Sequence, residues 1–178
     1  MELSTLAGGC FWCTEAIFKR LKGVSRVTSG YSGGKMENPS YEAVSSGSTG
    51  HAEAIQIEFD PAVLSYEKLL EVFFKLHDPT TLNQQGADIG TQYRSVIFYH
   101  DENQKEVAEK IKAAMQKLYK DPIVTEIVPY SNFYSAEGYH QDYYAKNSQA
   151  GYCRIVIDPK ITKLYKEFKE VTKEEKAE

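Results

Sequence analysis

Apolar and polar positions along the 178-residue chain alternate with two different periods, and the switches between them predict the elements. "LSTLA", residues 3–7, is compatible with a short strand leading into two glycines. Residues 12–22 carry Ile17 and Leu21 four apart, with Gly23 as a C-terminal stop, which predicts a helix. "VSRVTSGY", 24–31, is β-rich, and a Gly/Ser/Asn/Pro-rich loop is expected over 32–50. "HAEAIQIEF", 51–59, alternates like a half-buried strand. Ser65 is a candidate cap for a helix to Leu76 that lines up Leu69, Phe73 and Leu76. "YRSVIFY", 93–99, predicts another strand. Asp101 and Gln104 resemble a capping pair before a helix with Val107, Ile111, Ala114 and Leu118 inward. "IVTEIV", 123–128, and "CRIVID", 153–158, read as strands, residues 160–172 as a closing helix, and the charged tail from Lys169 as fraying.

The first six elements run β-α-β-β-α-β. That order predicts an α+β fold, a ferredoxin-like split β-α-β two-layer sandwich with helices on one face of an antiparallel sheet. The remaining elements extend its C-terminal half, and the length suits one domain, residues 1–178. The formal charge of −4, with acids and bases interspersed, leaves no electrostatic footprint for nucleic acid. No apolar run is long enough to span a membrane, and no signal peptide is visible at the N-terminus. Three cysteines without an export signal favour a reducing, cytoplasmic setting and reactive or inert thiols over a disulfide framework.

The element order puts Cys10 at a strand-to-helix junction. Unpaired N–H groups and the helix dipole there favour an anion and so a lowered thiol pKa. Gly8 and Gly9 permit the sharp turn and leave the sulfur uncrowded. The plain alternative is a buried, inert cysteine. Phe11 and Trp12 either cap the core or wall an apolar pocket that suits a methyl or thioether group. Glu53 shares a strand face with His51, Ile55, Ile57 and Phe59. A carboxyl on that face would be desolvated, raised in pKa and available as a general acid, unless it escapes to solvent or pairs with Arg94. Tyr41 and Tyr93, each beside turn residues, could donate to a polar substrate oxygen. Asp88, between glycines, could be a turn residue or could position water or substrate. Among the four histidines no metal-ligand spacing occurs, so no metal and no cofactor are expected; His51 is the histidine to watch.

Five segments then show a resemblance. "GGCFWCTEAIF", "NPSYE", "GHAEAIQIEFDP", "LHDPTTLNQQGADIGTQYRS" and "AGYCRIVIDPK" occur in order over nearly the whole chain and resemble the peptide methionine sulfoxide reductase A family. The resemblance implies Cys10 as nucleophile and Glu53 as the acid that protonates the sulfoxide oxygen. It implies Tyr41 and Tyr93 as donors to that oxygen, Phe11 and Trp12 as the methyl pocket, and Asp88 as a positioning carboxylate. It further implies a ferredoxin-like α+β fold and selectivity for the S epimer. The substrates would be free methionine sulfoxide or oxidised proteins and peptides, with a sulfenic acid intermediate and thioredoxin as reductant, in protein repair after oxidation. A monomer is expected. Cys153, in "GYC", resembles the family's common resolving position, although the apolar "RIVID" replaces the Gly-rich run expected after it; Cys13 is the alternative. Two rival readings remain open on the residues alone. One is a thioredoxin-like disulfide oxidoreductase using Cys10 and Cys13. The other is a non-catalytic aromatic cage for a thioether or methylated ligand.

Overall fold

The computed structural model describes residues 1–175. In chain order the elements are β1 (Glu2–Gly8), α1 (Phe11–Phe18), β2 (Val24–Ser32), α2 (Tyr41–Ser45), β3 (Ala52–Phe59) and α3 (Tyr66–Leu76). Then come β4 (Gln84–Gln85), β5 (Asp88–Ile89), β6 (Ser95–Tyr99), α4 (Glu102–Gln116), β7 (Glu126–Pro129), β8 (Tyr134–Ser135), α5 (Tyr143–Lys146) and α6 (Asp158–Glu167). The main sheet runs β7-β6-β1-β3-β2-β8. Its central four strands, β6-β1-β3-β2, pair antiparallel and give the expected split β-α-β arrangement; β6 and β7 pair in parallel.

Alternation decides which face each strand residue serves. Leu6, Ile55, Ile57, Phe59 and Ile97 point to the helical side, where they bury against α1, α3, α4 and α6. Ala7, Ala52, Ala54, Val96 and Phe98 point to the other side. The three alanines are small enough there for Val128, Tyr130 and Phe133 to lie close on the sheet. Ser65 and Asp101 cap α3 and α4 as their sequences predict, accepting from the N–H groups of Lys68 at 3.1 Å and Gln104 at 2.8 Å.

Several expectations are corrected. The stretch 153–158 is not a strand. Cys153–Ile157 is a turn of π-helix that runs straight into α6, whose first turn holds Asp158 and Pro159. Ile155, which an internal strand would bury, is 77% exposed. The loop expected over 32–50 contains α2, capped by Ser40 through the N–H of Ala43. On α4 the buried stripe is Gln104, Ala108, Ile111 and Met115; Ala114 and Leu118 face solvent. The tail expected to fray from Lys169 is tied down as far as Lys173. Lys22 N–H donates to Val171 O at 2.8 Å, and Lys173 N–H donates to Arg20 O at 2.7 Å. Residues 176–178 of that tail lie outside the described residues.

Candidate active site

β1 delivers the chain to Gly9, whose φ of +90° only glycine adopts at little cost. A Cβ there would also come within 2.6 Å of Gln85 Cγ on β4, so the β4–β5 hairpin closes directly over this turn. Cys10 follows as the N-cap of α1, 8% exposed, and its sulfur does not cap the helix. A carboxyl from the middle of the sheet does so instead. Glu53 Oε1 accepts from the N–H of Phe11 at 3.2 Å, on the core face that the alternation of β3 assigns it. Arg94 does not pair with Glu53. Its guanidinium donates to Glu126 Oε2 and to the carbonyl of Gly50.

Glu53 is 2% exposed, and burial pushes its carboxyl up to about 8. The Phe11 N–H opposes that rise, while Asp88 and Cys13 add to it. At neutral pH the group therefore holds a proton next to the thiols. Cys10 departs from the expectation of a lowered pKa. Burial raises it well above the usual thiol range, with Cys13 and Glu53 adding, and the Trp12 N–H facing the sulfur does not outweigh them. Cys13, one turn along, is brought down to about 7 by its hydrogen bond with Cys10 against the cost of burial, helped by Lys160 and Tyr152. The two thiols share a proton, so the pair loses its first proton readily and its second with difficulty.

Aromatic side chains enclose this corner. Trp12 Nε1 donates to His140 Nδ1 at 3.0 Å, and its ring stacks on Tyr143 at 3.7 Å and 7°. The edge of Tyr152 meets it at 5.9 Å. Tyr152 OH donates to Asp88 Oδ2 at 2.9 Å and shares a hydrogen bond with Cys13 Sγ at 3.5 Å. Tyr41 and Tyr93 are raised above the ordinary phenol range first by burial and then by Glu53, which places both hydroxyls in the field of that carboxyl. The Tyr41 ring lies 4.5 Å from that of His140. Cys153 is buried in one cluster with Cys10, Cys13, Ala16, Ile157 and Ile161.

Comparison with known proteins decides the family. The sequence profile described as Peptide methionine sulfoxide reductase matches residues 2–173.

The chain belongs to the peptide methionine sulfoxide reductase family.

The Peptide methionine sulfoxide reductase MsrA of Sulfolobus acidocaldarius is 56% identical over 168 residues, 94% of this chain and 96% of that one. Among solved structures, reduced Mxr1 from Saccharomyces cerevisiae superposes with a TM-score of 0.80 at 40% identity, over 85% of this chain and 88% of that one. Mxr1 in complex with Trx2 gives 0.56 at 29% identity, over 80% and 84%.

Within this reductase fold, Cys10, Cys13, Glu53, Tyr41, Tyr93, Trp12, Asp88 and Cys153 come together around the start of α1. Phe11 is there too, but its ring is fully buried in the main core between Tyr31 and His140, and it serves the site through its N–H. His51 does not join them. Its Nδ1 accepts from Gly34 N–H and its Nε2–H donates to Met36 O, so it braces the loop after β2. The histidine at the site is His140. The sequence offers no signal for it, because it comes from a segment about 130 residues away without a period; for the Tyr-rich stretch 130–152, which holds Tyr143 and Tyr152, the sequence leaves open whether it shapes the outer pocket or covers the sheet. The Tyr-rich stretch 130–152 does two jobs. Tyr130 and Phe133 cover the back of the sheet, and Tyr143 and Tyr152 pack on Trp12. The arrangement can present a neutral carboxyl and two phenols to a substrate oxygen while a buried sulfur faces the atom that bears it.

Proposed function

We propose that this chain reduces methionine S-sulfoxide, free or within oxidised proteins and peptides, to methionine, with Cys10 as nucleophile and Glu53 as general acid. The observation that carries the reading is the Glu53 carboxyl, buried and bonded to the first N–H of the helix that Cys10 caps; burial pushes it up to about 8, which favours its protonated form at neutral pH. The sulfoxide methyl packs against Trp12, with Phe11 behind it. The S–O oxygen receives hydrogen bonds from Glu53, Tyr41 and Tyr93, and Asp88 acts on the site through Tyr152. Hydrogen bonding draws electrons from sulfur, and Cys10 attacks it as its own thiol proton passes to the Cys13 thiolate, with which it shares a hydrogen bond. The sulfoxide gains two electrons and leaves as methionine. The oxygen passes with a proton to Cys10, which becomes a sulfenic acid, and the atoms balance without a further reductant.

A second thiol then displaces water from the sulfenic acid and forms a disulfide. Support for Cys13 in that step is its place one turn along α1, with its N–H donating to Cys10 O at 3.1 Å, and its pKa of about 7. Cys153, the partner favoured by the sequence, sits in the same buried cluster, where it can attack the Cys13 sulfur, free Cys10 and carry the disulfide onward. An external dithiol of the thioredoxin type accepts the oxidising equivalents; the complex of yeast Mxr1 with Trx2 supports that partner. The whole chain then works as one reductase domain, monomeric and cytoplasmic.

The test is one turnover without external reductant. Fully reduced protein is mixed with a peptide bearing methionine S-sulfoxide, methionine is counted, and disulfides are mapped by mass spectrometry. One equivalent of methionine is expected from the native protein and none from Cys10→Ser. Methionine output that survives Cys10→Ser overturns the reading.

A further inference from the structure

Helix α1 carries a second buried carboxyl that the reaction does not use. Glu15 lies one turn beyond Trp12 and is 2% exposed. A helix seldom buries a carboxylate without giving it a structural task. Its Oε1 accepts from the backbone N–H of Asp142 at 3.0 Å, and Lys19 Nζ stands 3.5 Å from the same oxygen. Lys19 also bonds the Asp142 carboxylate. Tyr143 N–H and Lys146 contribute to the same corner.

We propose that Glu15 is a positioning residue: a buried clamp on the backbone of Asp142 that sets Tyr143 against Trp12 and so fixes the outer wall of the substrate pocket. The proposal rests on the reductase reading for its effect on substrate. Its structural half stands on its own.

First, Asp142 has φ +55°, a left-handed conformation that costs a non-glycine residue energy, less for Asp than for most, and that contacts from α1 hold in place. Glu15 grips its N–H and Lys19 its side chain, so both handles on the strained residue come from α1. Second, α5 has four residues and cannot hold its shape alone. It is laced to its surroundings at each step. Trp12 stacks on Tyr143, Arg20 lies over the Tyr144 ring at 5.3 Å, and Tyr144 OH donates to Asp158 at the start of α6. Third, Trp12 is half-buried, whereas Phe11 is locked in the core, so Trp12 depends on its neighbours for orientation. Its partners, Tyr143, His140 and Tyr152, all lie in the segment that Glu15 tethers or next to it.

Trp12 is the only tryptophan in the chain, so its emission reports this stacking directly. Fluorescence of the reduced, substrate-free protein is compared for the native chain, Glu15→Ala, Glu15→Gln and Tyr143→Leu. Glu15→Ala is expected to shift Trp12 emission to the red and to raise its acrylamide quenching about threefold, as water replaces the Tyr143 ring. In single-turnover reduction the same variant should raise the substrate concentration at half-maximal rate by about tenfold to a hundredfold, with the saturated rate within about threefold. Glu15→Gln keeps an oxygen for the Asp142 N–H and should restore native emission. Adding Tyr143→Leu to Glu15→Ala should change little further, because both act on one contact. Where Glu15→Ala does not fold, Tyr143→Leu alone carries the test, with the same red shift and the same loss of substrate affinity. Native emission and quenching in Glu15→Ala overturn the clamp, as does native substrate affinity in Tyr143→Leu. Failure of the native chain to make methionine would strike the reductase reading and leave the fluorescence result to decide the clamp.

Discussion

The two ends of α1 each hold a buried glutamate, and the two corners do opposite things with it. Glu53 meets the N-terminus through a single backbone N–H, with no cation beside it among the described residues, and its carboxyl rises to about 8. Glu15, near the C-terminus, is equally buried and also raised by burial, but Lys19 is its largest opposing influence, followed by the N–H of Tyr143 and by Lys146. Burial sets the cost in both places. The presence or absence of a cation decides what the carboxyl is for. Without one it keeps its proton and can give it away. With one it serves as a fixed acceptor that holds backbone. One helix thus meets a protonated carboxyl from β3 at its start and carries a carboxyl that tethers the 142–146 segment a turn further on.

The contrast can be broken by removing its parts, and the largest effect belongs to the sulfur that the acid serves. Cys10→Ser should abolish methionine formation, with a fall of at least about a thousandfold in kcat/KM under thiol recycling. Glu53→Gln should cost about a hundredfold to a thousandfold in kcat/KM, since it removes the proton but keeps an oxygen for Phe11 N–H. The same variant carries a stability signature. A carboxyl held at about 8 rather than at 4.5 binds a proton in the folded state that the unfolded chain has released. Native stability from this group is whole below pH 4.5, declines as pH rises to about 8, and levels off above that. Relative to its own value at pH 4, the native protein should therefore lose on the order of 4 kcal/mol more by pH 9 than Glu53→Gln, read from urea unfolding. Tyr41→Phe and Tyr93→Phe should each lower the single-turnover rate by about tenfold, as a lost donor to the developing oxygen charge. Tyr152→Phe is the gentlest cut. It should raise the Cys13 pKa, read by thiolate absorbance, and slow disulfide formation by about threefold.

Local chemistry made much of this legible beforehand. The alternation in "HAEAIQIEF" put Glu53 on the core face, and the cap residues Ser65 and Asp101 marked where α3 and α4 begin. The glycines before Cys10 marked the turn into α1. What stayed hidden depends on contacts distant in sequence or on short apolar runs without a period. "CRIVID" is β-branched and reads as a strand, yet a run that short does not distinguish strand from helix; the Asp158–Pro159 start of α6 was the better signal. The helix dipole at Cys10 favours an anion, but burial overrules it there, and the first N–H of the helix goes to the Glu53 carboxyl instead. His140, Tyr143 and Glu15 gain their meaning only when the 138–146 segment folds back on α1, which no local pattern encodes.

The most direct measurement is the rate of the first methionine-forming turnover from pH 5 to pH 10, in native protein and in Glu53→Gln. The account predicts a native rate that rises as the Cys10–Cys13 pair loses its first proton, at about 7, and declines above about 8 as Glu53 loses its own, with that declining limb absent from the slower variant. A native rate with no declining limb above pH 8, or a variant that keeps both the rate and the limb, would contradict Glu53 as the acid.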